Sequence, residues 1–169
     1  WIIPKYTISV FVAKAEVKKM PMLGWGASAV DTLYVDRKSK DSGRETRKEI
    51  SERIRKGRSV IIFPEGTTGD AGGLLPLKPG MFYVAAEEGF PIVPMVIFYE
   101  NPGLAWVGDD NMAGHFFRNF SKLRTTAHVV FGEPITGKDG EELMVRVRDW
   151  KLEQLEKFRN TFSEQYAQV

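Results

Sequence analysis

The 169 residues are 43% hydrophobic and 27% charged with a net charge of +2, a composition that fits one ordinary globular domain with a sizeable core. No run approaches the ~18 uninterrupted apolar residues a membrane span requires, and Trp1-Ile2-Ile3-Pro4-Lys5 lacks the basic region and long apolar core of a signal peptide. The absence of cysteine excludes disulfides, thiolate metal sites and cysteine nucleophiles.

Along the chain, Tyr6 to Val12 alternates with β-branched and aromatic residues and reads as a strand. Pro21–Ala29 reads as a short helix that packs Trp25. A second short strand spans Thr32–Val35, and Arg44–Lys56 follows as a helix, with Ile50 and Ile54 at helical spacing and Gly57 as its stop. Ser59–Phe63 is the third strand, Pro79–Glu88 a helix ended by Gly89, and Ile92–Phe98 and Thr126–Phe131 complete the strands. Asp139, with Glu142 three residues on, is an N-cap for a terminal helix whose stripe is Leu143, Val147, Trp150, Leu155, Phe158, Phe162 and Tyr166. That stripe docks on the domain's own sheet or, alternatively, on a membrane or a partner helix. Five strands separated by helical stretches predict an α/β fold, a mixed and mostly parallel sheet flanked by helices, as a single domain over 1–169.

Charge is unevenly distributed. Residues 1–58 carry 14 Lys or Arg against 7 Asp or Glu, and residues 59–169 carry 10 against 15. The basic first third suits anionic lipid headgroups, a lipid phosphate or the phosphates of a carrier group, although Arg44–Arg58 by itself also reads as a solvated helix face. Nucleic acid is not the expected partner, because aromatics do not interleave the basic run and no base-reading motif occurs. A glycine-rich phosphate loop of the Gly-x-x-x-x-Gly-Lys-Ser/Thr type is also absent.

Phe63-Pro64-Glu65-Gly66-Thr67-Thr68, directly after Val60-Ile61-Ile62, places a lone carboxylate and a glycine turn where a buried strand ends. In open α/β sheets the ligand crevice lies off the carboxyl ends of the strands, and a Gly-Thr pair lets backbone N–H groups approach an anion or a developing oxyanion. A tight strand-to-loop turn with a solvated Glu accounts for the same residues. Gly69-Asp70-Ala71-Gly72-Gly73 is a loop beside it that either moves over a bound substrate or simply connects. Asp109, Asp110 and His115 lie in one stretch, too sparse for a metal site, and His128 sits in a strand as a packed or surface residue.

Together with Phe11 to Glu16, Pro21-Met22-Leu23-Gly24-Trp25, Asp31 to Arg37, Leu77-Lys78-Pro79-Gly80 and Pro91-Ile92-Val93-Pro94, that turn resembles the glycerolipid acyltransferase family over roughly Tyr6 to Ile135. The resemblance implies transfer of a fatty acyl group from a thioester, carried by coenzyme A or acyl carrier protein, to the free hydroxyl of a lysolipid at the cytoplasmic face of a membrane. It implies no metal and no bound cofactor. It would make Glu65, Gly66 and Thr67 part of the acceptor-binding and oxyanion region, with Thr68 beside them, Arg37 a headgroup contact and Lys14 a lysine near the same pocket. Lys78 would complete a positive rim, or is simply solvent-exposed before Pro79.

The family's catalytic signature is a His followed five positions later by an Asp, upstream of the segment matched by Phe11 to Glu16. It does not occur here: five residues after His115 stands Phe120, and five after His128 stands Glu133. With no initiating Met either, the expectation is a fragment, inactive by itself, of an enzyme whose dyad lies before Trp1. Two departures bear on the acceptor. Members acting on lysophosphatidic acid usually have Arg where this chain has Thr68 and Gly where it has Asp31, and losing the Arg removes a charge-assisted phosphate contact worth roughly 1.5–3 kcal/mol. Glu-Gly-Thr-Thr, with Trp106 to His115, is similar to the lyso-ornithine lipid acyltransferases. The expected acceptor is 1-acyl-glycerol-3-phosphate, with lyso-ornithine lipid as the alternative and a non-catalytic lipid- or acyl-carrier-binding module as a reading of a different class.

Overall fold

A computed structural model describes residues 9–19, 23–29, 32–35, 40–67, 69, 73–100 and 126–162. The chain divides into two compact units, Trp1–Phe63 and Pro64–Val169.

In the first unit, β1 (Ser9–Lys14) is central in a parallel three-stranded sheet of order β2-β1-β3, with β2 at Leu33–Val35 and β3 at Ser59–Ile61. Val12 pairs with Leu33 and Val10 with Val60. Parallel neighbours need crossover connections. One is a 3-10 helix (Ala15–Lys19) followed by α1 (Leu23–Ala29); the other is α2 (Lys40–Arg55). Thr46, Ile50 and Ile54, four apart, supply the inward stripe of α2, and Val10, Leu33 and Ile50 are buried. The expected stop at Gly57 has a left-handed φ of 79°, and two bonds close the helix end: Gly57 N–H to Ile54 O at 2.8 Å and Arg58 N–H to Arg53 O at 3.0 Å.

Trp25 does not pack as the sequence led us to expect: it is 78% exposed. The reason is its neighbour. Gly24 presses so closely on the 3-10 helix that a Cβ there would collide with the Lys18 carbonyl, and one helical step of about 100° turns Trp25 away from that face.

In the second unit, α3 (Gly80–Glu88) ends at Gly89, whose φ is 71°, and packs against α4 (Gly140–Thr161). Asp139 caps α4 as expected, its Oδ1 accepting from Glu141 N–H (2.8 Å) and Glu142 N–H (3.2 Å). Phe82, Ala85, Leu143 and Val147 form the core between the two helices. Their close approach depends on Gly140, where a Cβ would stand 2.8 Å from Tyr83 N. Antiparallel β4 (Met95–Tyr99) and β5 (Ala127–Phe131) pair with Phe98 opposite His128. The distal part of α4 covers β4, stacking Phe158 on Phe98 with ring centroids 4.7 Å apart. The apolar stripe of α4 therefore docks on its own unit through Leu143, Val147, Phe158 and Phe162, while Tyr166 lies outside the described residues.

The strand expected from Ile92 starts at Met95 instead. Pro94 has no N–H to donate and interrupts the ladder, leaving Ile92 in an isolated bridge to Ile135. With that adjustment the α/β class holds, although the described strands form a parallel three-stranded sheet and a separate antiparallel pair in place of the one mixed sheet expected.

Candidate active site

β3 ends at Ile61, and the chain turns through Pro64 and Glu65 into Gly66, which is buried with φ at 72°. That left-handed conformation costs a residue with a Cβ about 1–2 kcal/mol, the physical reason for glycine after Glu65. Thr67 follows at the surface. The excursion that begins here is closed at its neck by two hydrogen bonds. Lys78 N–H donates to Pro64 O at 2.9 Å, and Leu75 N–H donates to Glu65 Oε2 at 3.1 Å. Within the excursion, Gly69 lies against the Leu75 side chain, so that a Cβ there would come within 3.1 Å of it.

The other carboxylate oxygen of Glu65 accepts from Lys151 Nζ at 3.0 Å. Only 19% of the Glu65 side chain and 13% of the Lys151 side chain reach solvent. Glu65 is therefore not the solvated turn residue of the plainer reading: each of its oxygens has a defined donor, one local and one from a helix 86 residues away. Sequence reasoning missed Lys151. The signal was present, because Leu143, Val147, Lys151 and Leu155 follow one another at steps of four, and a lysine in register with an apolar stripe requires a partner when it is covered.

Of the other expected site residues, Lys14 is the exposed last residue of β1, in register with Val35, and belongs to the first unit, whereas Glu65, Gly66 and Thr67 belong to the second. Arg37 and Thr68 lie outside the described residues, as do Asp31, Asp109, Asp110 and His115. Lys78 is exposed; its structural part is its backbone N–H at the neck of the excursion. His128 is packed, its Nε2 2.8 Å from Glu100 Oε1 and its ring tilted against Phe158 and Phe162. Burial raises the nearby Tyr99 phenol above its ordinary value of 10. Among the described residues no group of three His, Asp or Glu side chains converges on a point where a cation could sit, and no helix is long and apolar enough to cross a membrane.

Residues 4–98, which include β1 to β4 in part or whole and the Glu65 turn, match the Acyltransferase family profile. The chain belongs to the acyltransferase family. A lyso-ornithine lipid O-acyltransferase from Pseudomonas aeruginosa is 34% identical over 140 residues, covering 79% of this chain and 54% of the relative. A 1-acyl-sn-glycerol-3-phosphate acyltransferase from Cocos nucifera is 37% identical over 107 residues, covering 63% of this chain and 33% of the relative. The crystal structure of PlsC, a 1-acyl-sn-glycerophosphate acyltransferase from Thermotoga maritima, superposes with a TM-score of 0.61 at 22% identity, covering 90% of this chain and 57% of that one, which shows a shared fold. The chain thus spans about half the length of the Pseudomonas relative and of the Thermotoga structure, and a third of the coconut enzyme.

Proposed function

We propose that the protein to which these residues belong transfers a fatty acyl group from a thioester to the free hydroxyl of a lysolipid. The observation that carries this reading is the family match across the Glu65 turn, in which a largely buried carboxylate is held in place at the end of a parallel sheet strand. In the reaction the acceptor hydroxyl oxygen attacks the thioester carbonyl carbon, its proton passes to a general base, and the collapsing tetrahedral intermediate expels the thiolate, which takes up the proton. The family resemblance assigns the role of base to a His with an Asp five positions on, a pairing that neither His115 nor His128 makes. Without it the loss is roughly 10²–10⁴-fold, so the chain alone is expected to be inactive. Gly66 and Thr67 contribute backbone to the oxyanion and acceptor region. On the family resemblance alone, Arg37 is assigned to the headgroup and Lys14 and Thr68 to substrate binding, and coenzyme A or acyl carrier protein delivers the donor. The excess of basic residues in the first unit supports work at an anionic membrane surface, on its cytoplasmic face.

Family membership alone puts 1-acyl-glycerol-3-phosphate first as acceptor. Two observations favour lyso-ornithine lipid. Thr68 offers no guanidinium to a phosphate, whereas an ornithine headgroup presents a carboxylate and an amine. The relatives named for lyso-ornithine lipid also match more of this chain, 74–79% against 52–63% for those named for 1-acyl-sn-glycerol-3-phosphate. Incubating the full parent protein with a labelled long-chain thioester and each acceptor in parallel tests both levels. Product with either lysolipid supports the reaction, and the preferred acceptor identifies the headgroup. Absence of product with both refutes the enzyme reading in favour of a lipid- or carrier-binding module.

A further inference from the structure

We infer that Lys151 is a positioning residue for acyl transfer, acting through Glu65; this rests on the lysolipid acyltransferase reading above. Lys151 stands one turn after Val147 and two after Leu143 on the docked face of α4. Leu143 is fully buried and Val147 nearly so, which ties the height and rotation of that helix to α3. A lysine at the next step of the stripe would be out of place in a helix that only had to pack. Here its ammonium crosses to the carboxylate of the turn at 3.0 Å, and the pair is largely withdrawn from water.

Two consequences follow for the turn. The first is geometric: with Lys151 on Oε1 and the Leu75 amide on Oε2, the Glu65 carboxylate has its orientation set from two sides. The backbone between Pro64 and Thr67, which carries the left-handed Gly66, is then held by a side chain anchored in the unit's core and not by loop contacts alone. The second is electrostatic. A lone carboxylate would repel the phosphate or carboxylate group that either candidate headgroup presents, and a partner ammonium at contact distance cancels that field. Lys151 thus makes a carboxylate compatible with an acceptor site. Its ammonium is engaged with Glu65, so its part is to position and not to react. Misplacing a reacting group by about 1 Å costs on the order of 10²-fold in rate, so a lost anchor has a kinetic signature larger than a lost surface contact.

The test uses the full parent protein, a labelled long-chain thioester, and whichever lysolipid the wild type accepts. Lys151→Met should lower kcat by about 10–100-fold, leave the KM for the thioester near its wild-type value, and keep a cooperative melting transition. Lys151→Arg retains the charge and should restore most of the rate. Lys157→Met removes another α4 lysine, one paired to Glu153 on the helix surface, and should behave as wild type. Wild-type kcat in Lys151→Met overturns the inference. So does a loss of rate that merely follows the loss of folded protein, or a well-folded Lys151→Arg as slow as Lys151→Met. A wild type that acylates no lysolipid removes the functional reading and this inference with it, whereas an active wild type matched by Lys151→Met removes the inference alone.

Discussion

The two units of the chain solve the same packing problem by different means. Trp1–Phe63 holds a parallel ladder whose described core is small, Val10, Leu33 and Ile50, and it ends α2 with a left-handed glycine in open space. Among its described residues, Pro64–Val169 holds an antiparallel pair and two helices whose apolar core is larger, and it gains closeness from glycines that allow side chains or backbone into contact: Gly140 against Tyr83, and Gly132 against Pro94 and Trp150. Charge divides at the same place, with the surplus of Lys and Arg in the first unit and the surplus of Asp and Glu in the second. The comparison teaches that a glycine's role is set by what surrounds it, and that the carboxylate of interest sits in the acidic unit with a lysine drawn from that same unit.

The comparison can be broken most sharply at Leu143. Leu143→Ala should cost roughly 2–5 kcal/mol, because the site is fully enclosed and collapses only in part; chemical denaturation gives the size, and hydrogen exchange should show α3 and α4 amides losing protection. A cost below 1 kcal/mol would mean the helix pair is not the seat of that unit's stability. A matched glycine pair comes next. Gly140→Ala introduces a Cβ onto the Tyr83 backbone and should cost roughly 1–3 kcal/mol as an overpacked contact. Gly57→Ala meets nothing within 4 Å and should cost only the left-handed strain, about 1–2 kcal/mol. Thermal melts distinguish the two mechanisms if Gly57→Asn recovers stability while Gly140→Asn does not, since Asn tolerates a positive φ but still carries the colliding Cβ. The smallest effect belongs to Thr32, whose buried hydroxyl has no hydrogen-bond partner among the described residues. Thr32→Val should be neutral or stabilising by up to about 1 kcal/mol, and a clear loss of stability would reveal a partner for that oxygen.

Much of this was legible from residue order alone, because local chemistry acts over a few positions. Gly57 and Gly89 stop helices since each must adopt a positive φ, and Asp139 starts one because its carboxylate reaches N–H groups two and three residues on. The Glu65 turn was visible for the same reason: a strand, a proline, an acid and a glycine in sequence specify a bend at the strand's end. The family resemblance rested on those short blocks, and the match over residues 4–98 covers them.

What the tertiary structure alone decided lies where the outcome depends on distant neighbours. The direction of Trp25 follows from how closely Gly24 approaches the 3-10 helix, and Gly140 matters because α3 crosses there. Pro94 is the intermediate case, since its missing N–H was in plain view but its effect waited on the antiparallel partner that required a donor. The partner of Glu65 was the least accessible, because a turn of a few residues contains no record of the lysine 86 positions away that α4 brings to it. Helix period placed Lys151 on the docked face; only the packing of Leu143 and Val147 determined which carboxylate it would meet.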